Sequence, residues 1–249
     1  MHRLKKLLAL CSLTLLLSGC ASSSKELPDQ PIAELYASAQ QKLQQQDFRG
    51  AITQLEGLDN RYPYGPYAQQ VQLDLLYAYY QAREWALAQT MSERFMRLNS
   101  THPQMDYVLY MRGLVGLALD DNLLQRLCRI DRADRDNSNT QQAFEDFKTL
   151  VIQYPRSPYA AAAWQRLTAL KQTLARHELA VATYYHQREA PVAVANRVVQ
   201  MLQEFPDTVA TRQALPLLQQ AYQQLQRPVA AAQIERLIRA NAASNQAVR

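Results

Sequence analysis

The sequence predicts an all-α protein assembled from about five consecutive helix pairs, and three observations carry that prediction. Glycine occurs only six times in 249 residues. From Ile32 onward apolar residues recur three and four apart, which is the period of a helix and not of a strand. Helix-ending signals return along the chain as Arg61-Tyr62-Pro63, Thr101-His102-Pro103, Gln153-Tyr154-Pro155 and Glu204-Phe205-Pro206. Proline lacks the backbone donor and disfavours helical geometry in the residue before it, so each signal is a stop.

The elements follow in order. Arg3, Lys5 and Lys6 precede an apolar run from Leu7 to Leu17, long enough for the core of an export signal and shorter than the roughly 20 residues of a membrane-spanning helix. Leu17-Ser18-Gly19-Cys20 then resembles a lipobox. The expectation is a signal peptide over residues 1–19 and lipidation of Cys20, with an ordinary secretory cleavage as the alternative. Each buried acyl methylene contributes ~0.8 kcal/mol, so two or more chains anchor stably. Ala21 after the cysteine, where retained lipoproteins carry Asp, implies export to the outer membrane. Residues 20–31 read as the lipidated cysteine and a flexible tether, whose last eleven residues reach up to ~40 Å when extended.

Removing the signal lowers the net charge from +5 to +2, which makes nucleic acid a poor partner. Cys11 leaves with the signal and Cys20 is acylated, so Cys128 stands alone and no intramolecular disulfide forms. It reads as a small apolar packing residue.

The repeats come next. Ala51 is followed four residues on by Leu55 and twelve on by Pro63, and Ala143, Phe147 and Pro155 show the same offsets. Leu75 and Tyr79 precede Ala88 as Leu218 and Tyr222 precede Ala231. This resembles the tetratricopeptide repeat, in which a small Ala lets two helices approach, a Phe-like residue fills the core and Pro stops the second helix. The resemblance implies a right-handed superhelical solenoid. Two repeats are irregular: Pro103 comes three residues late after Ala88, and Pro206 one early after Ala195.

Spacing exposes an insertion. Gly113 reads as the close-packing position of a third first helix, but its partner does not begin until about Thr140. The excess, residues 120–139, is charged and expected to project. Within it Arg126, Arg129, Arg132 and Arg135 alternate with Asp131 and Asp134, as a solvated surface or a docking arm. Asp134, Asp136, Ser138 and Glu145 sit at positions 1, 3, 5 and 12 of a calcium-loop pattern, but Asn139 stands where that loop needs Gly. The competing reading, which the repeat spacing favours, makes Asn139 or Thr140 the cap of a helix containing Glu145. The distance from Pro155 to Pro206 is also long, consistent with an extra helix near 159–176.

Chemistry-bearing motifs are absent: the chain has no GxGxxG, P-loop, HExxH, GxSxG or CxxC. An enzyme, a cofactor and a bound metal are therefore not expected. Aromatic residues instead gather in Arg61-Tyr62-Pro63-Tyr64-Gly65-Pro66-Tyr67, a constrained turn between repeats. Rigid aromatics with Arg49 and Arg61 close in sequence suit an extended or helical peptide.

Several runs match one family. DNRYPYGPYAQQVQLDLLYAYY (59–80), RFMRLNSTHP (94–103) and DFKTLVIQYPRSPYA (146–160), with the lipobox at Cys20, resemble the BamD family of tetratricopeptide lipoproteins. The resemblance covers essentially residues 1–249. It implies a periplasm-facing scaffold, lipid-anchored in the inner leaflet of the outer membrane, that takes part in β-barrel assembly. The implied partners are the last POTRA domain of BamA, the lipoproteins BamC and BamE, and unfolded β-barrel precursors. On that basis residues 32–110 form a substrate-binding half, with Arg49, Tyr62, Gly65 and Tyr67 as the precursor site. Residues 111–249, with the insertion at 120–139, form a partner-docking half, with Arg188, Arg197 and Pro191 as POTRA contacts. The rival is a lipoprotein scaffold in cell-wall metabolism or polysaccharide export; a role in DNA uptake is disfavoured by the low mature charge.

Overall fold

The computed structural model describes residues 29–120 and 138–247, and among them every regular element is an α-helix. The helices are α1 (Ile32–Gln44), α2 (Phe48–Arg61), α3 (Ala68–Gln81), α4 (Trp85–Leu98), α5 (Met105–Asp120), α6 (Ser138–Gln153), α7 (Ala160–Gln187), α8 (Pro191–Glu204), α9 (Val209–Gln224) and α10 (Pro228–Ala247). In chain order they make five pairs, as the sequence predicts.

In the four pairs whose connecting turn is among the described residues, that turn is built without glycine. Gln46, Arg83, Glu189 and Gln226 adopt left-handed backbone with φ of 61°, 63°, 54° and 54°. The next residue donates its N–H five residues back: Asp47 to Lys42, Glu84 to Tyr79, Ala190 to Tyr185 and Arg227 to Tyr222, at 2.8–3.1 Å. This bond closes the helix end that glycine usually makes possible. The turn between pairs repeats as well. The N–H groups of Tyr62, Asn99, Tyr154 and Phe205 cap the preceding helix, and their carbonyls accept from Gly65, His102, Ser157 and Thr208. Pro103 falls four residues beyond its cap, Asn99, which explains its late register.

Two compact units divide after Val71, within α3. In the first, Leu35 and Ala39 of α1 and Ala51, Ile52, Leu55 and Leu58 of α2 are buried at the α1–α2 packing. Each large side chain withdrawn from water contributes about 1.5–3 kcal/mol. Buried Gln54 is satisfied there, its Nε2 donating to the Leu35 carbonyl at 2.8 Å.

In the second unit, successive helices from α4 to α10 pack on one another, and α7 also packs on α9. Gly113 serves the close approach: a Cβ there would stand 2.6 Å from the Phe147 ring. Gly116 faces the Asn139 carbonyl and Ala143 in the same manner. The α5–α6 pair is clamped by Arg112, whose Nε donates to buried Asp146 at 2.8 Å while Nη2 donates to its other oxygen.

Two expectations need correction. The segment 159–176 is not an extra helix: residues 160–187 form one continuous helix of 28 residues, because no proline or glycine interrupts it. Neither Asn139 nor Thr140 is a cap. α6 already begins at Ser138, and both side chains donate to Asp120 at the end of α5. Helix from Ser138 through Glu145 also occupies positions 5 to 12 of the calcium-loop pattern, which a wrapped ion site would need as loop. Most of the insertion, including Cys128 and the arginines, lies outside the described residues. So does Cys20.

Candidate functional site

Tyr62 ends α2 because Pro63 follows it; its φ of −132° and ψ of 55° are non-helical, and its N–H donates to the Leu58 carbonyl. The chain then turns twice in six residues. Gly65 N–H donates to the Tyr62 carbonyl at 3.0 Å, and Ala68 N–H to the Gly65 carbonyl at 3.0 Å. Gly65 leaves little room: a Cβ there would lie 3.2 Å from Ile32 Cδ1, from Tyr62 Cβ and from the Tyr62 carbonyl oxygen. Backbone carbonyl and packed side chain must both yield to any larger residue.

The aromatic side chains divide by role. Tyr67 lies on Tyr36 of α1, with ring centroids 4.8 Å apart and planes 21° apart, so it holds the loop to the helix. Tyr36 is fixed in turn by Gln40, whose Nε2 donates to its hydroxyl at 2.8 Å. Tyr62 is half-buried and carries the Arg61 guanidinium 5.5 Å from its ring centre. Tyr64 stands 98% exposed at the tip. Arg61 also faces Asp29 at 3.6 Å. The result is a pinned loop that exposes the Tyr64 ring near Tyr62 and the Arg61 guanidinium, a chemistry suited to stacking on peptide side chains and not to bond making.

Arg49 does not join this cluster. It is exposed in the first turn of α2, roughly 18 Å along the helix axis from Arg61. Tyr62, Gly65 and Tyr67 do come together. Sequence reasoning missed Tyr36, which is 31 residues from its partner Tyr67, and Asp29, which sits in what reads as tether.

The second set of residues lies at the α7–α8 turn. Arg188 caps α7 and places its guanidinium 4.6 Å from the centre of the half-exposed Tyr184 ring. Pro191 opens α8, where its fixed φ suits the first helical position and its missing donor costs nothing. Arg197, two turns further along α8, donates through Nη1 to Glu178 of α7 at 3.3 Å. Glu178 is 7% exposed and Arg197 41%. One face of the guanidinium thus secures a buried carboxylate while the rest reaches water. Val192 is exposed beside this turn.

The sequence matches the family described as YfiO, outer membrane lipoprotein, over residues 28–237. It is 50% identical over 210 residues to the outer membrane protein assembly factor BamD of Vibrio cholerae, covering 84% of this chain and 87% of that one. It is 43% identical over 241 residues to the BamD of Pasteurella multocida, covering 97% and 92%. The BamD of Haemophilus influenzae is 39% identical over 236 residues, covering 95% and 90%.

Proposed function

The chain belongs to the YfiO family of outer membrane lipoproteins, whose relatives are the BamD assembly factors, and on that premise we propose that it is a non-catalytic scaffold for assembling β-barrel proteins into the outer membrane. The observation that carries the reading to residues is the loop from Arg61 to Tyr67, held by the Tyr36–Tyr67 stack and displaying Tyr64. Transmembrane β-strands alternate apolar and polar residues and carry aromatic girdles at both interfaces. A fixed aromatic surface with a guanidinium suits such segments while they are still unfolded.

In this reading Tyr62, Gly65 and Tyr67 take the precursor within an N-terminal half, residues 32–110. Arg49 supplies a separate charged contact. Arg188, Pro191 and Arg197, in the half from 111 to 249, meet the last POTRA domain of BamA; BamC and BamE bind as companion lipoproteins. Cys20, acylated, anchors the protein in the inner leaflet of the outer membrane. Among the described residues no helix is long and apolar enough to cross a membrane.

Affinity purification of the lipidated protein from detergent-solubilised envelopes tests the reading. Recovery of a β-barrel protein with POTRA repeats supports assembly. Recovery of cell-wall or polysaccharide-export enzymes in its place supports the rival scaffold role.

A further inference from the structure

The loop at Arg61–Ala68 has a twin. Residues 153–160 read Gln-Tyr-Pro-Arg-Ser-Pro-Tyr-Ala, against Arg-Tyr-Pro-Tyr-Gly-Pro-Tyr-Ala at 61–68. The backbone follows the same path: Tyr154 N–H caps on the Leu150 carbonyl, Ser157 N–H donates to Tyr154, and Ala160 N–H donates to Ser157, at 2.8–3.0 Å. The aromatic pin is reproduced too. Tyr159 stacks on Tyr110 of α5 with centroids 5.0 Å apart and planes 21° apart, as Tyr67 stacks on Tyr36. The turn at Asn99 shares the backbone pattern, and that at Phe205 shares its first two bonds while Thr211 N–H donates to the Thr208 hydroxyl, but both sequences lack the second Pro-Tyr.

What surrounds the twin differs in ways that bear on binding. An open cleft of about 570 Å³ is lined by Asp106, Gln153, Tyr154, Pro155, Arg156 and Pro158, among others. Arg156 takes the place of Tyr64 at the tip; it is exposed and makes no ion pair among the described residues. Tyr159 also meets Tyr107, 5.8 Å between centroids, and the Arg166 guanidinium lies 5.4 Å from the Tyr110 ring centre. Burial first, then Tyr159, Asp74 and Tyr77, pushes the Tyr107 hydroxyl well above the usual phenol range. Burial, then Asp106 and Tyr110, raises Tyr159. Both stay neutral at any physiological pH, so the charges along the cleft are the Arg156 cation at the loop tip and the Asp106 carboxylate.

We infer that the cleft at 153–158 is a second precursor-binding site, taking an extended segment that carries an aromatic side chain next to a carboxylate. The ring lies against Tyr154 and the two prolines, and the carboxylate meets Arg156. The inference rests on the proposed role of the 61–67 loop but names a separate site with its own charge preference. Arg156 stands where the first loop carries the uncharged Tyr64, whereas the cation of the first loop, Arg61, already faces Asp29 at 3.6 Å.

The test uses the full chain with a photo-crosslinking amino acid at Tyr62 or, separately, at Tyr154. The probe is a fluorescent peptide of about ten alternating apolar and polar residues with one Tyr beside a Glu. Capture at position 154 is expected, reduced several-fold by Arg156→Glu, while capture at 62 is unchanged by that substitution. Arg156 is exposed, and an unaltered circular dichroism spectrum checks the fold. Silence at 154 with capture at 62 overturns the second site and leaves the first standing. Capture at 154 that ignores Arg156→Glu also overturns it. Silence at both positions overturns both readings. Capture at 154 alone supports the cleft and overturns the role of the first loop.

Discussion

The ring of Tyr67 rests on that of Tyr36 at 4.8 Å, tying a turn between helix pairs to the first helix of the described chain. A stacked pair of this kind contributes about 0.5–1.5 kcal/mol beyond its buried area. A double-mutant cycle of Tyr36→Ala and Tyr67→Ala is expected to show a coupling energy in that range in urea unfolding. Tyr67→Phe should keep the coupling, since the stack needs the ring alone. Additive single effects would mean that the loop is held by its backbone bonds and not by the rings.

Gly113 faces the Phe147 ring so closely that a Cβ would stand 2.6 Å from it. Gly113→Ala should therefore destabilise by about 1–3 kcal/mol through overpacking. Phe147→Leu, introduced into the same chain, should recover part of that loss although it is itself destabilising alone. Chemical denaturation of the three variants measures the sign of the interaction.

Glu189 occupies left-handed backbone at φ 54°, a conformation that costs an L-residue about 1–2 kcal/mol. Glycine removes that strain but loses more entropy on folding. Glu189→Gly is expected to raise stability by up to ~1 kcal/mol, with Gln46→Gly, Arg83→Gly and Gln226→Gly acting alike. The contrasting control is Gln187→Gly at the last residue of α7, which should not stabilise. A shift in the urea midpoint separates the two.

Arg197 serves two ends in this account, which makes a single substitution ambiguous. Losing a fully buried pair costs ~3–5 kcal/mol, and the exposure of Arg197 cuts the figure for Arg197→Ala to about 1–2 kcal/mol. Adding Glu178→Gln removes the orphaned charge and should restore most of the stability. If Arg197 also contacts the POTRA domain, co-purification with BamA stays weakened in the double variant. Restored co-purification would assign Arg197 to the fold alone.

The sequence made the helix pairs legible because their signals are local. Alanines such as Ala51, Ala88 and Ala143 are fully buried where the repeat offsets place them, and Gly113 proves to be a close-approach position. The turns inside the pairs were hidden, since Gln46 and Glu189 take a conformation that glycine ordinarily announces. The length of α7 is not legible, because the spacing of its flanking prolines fits an additional element as well as one unbroken helix. At the candidate site the loop's identity showed in Arg61–Tyr67, but its pin did not. Tyr36 reaches Tyr67 only through the fold, and no periodicity links them. The same holds for Glu178 and Arg197, which approach across a helix pair.

The most direct measurement of the central claim is photo-crosslinking at Tyr62 in living cells that are exporting β-barrel proteins. Capture of unfolded precursors is expected, and it falls when Gly65 is replaced by a larger residue that displaces the loop. Capture of no precursor at position 62, in protein that is correctly localised and folded, would contradict the claim.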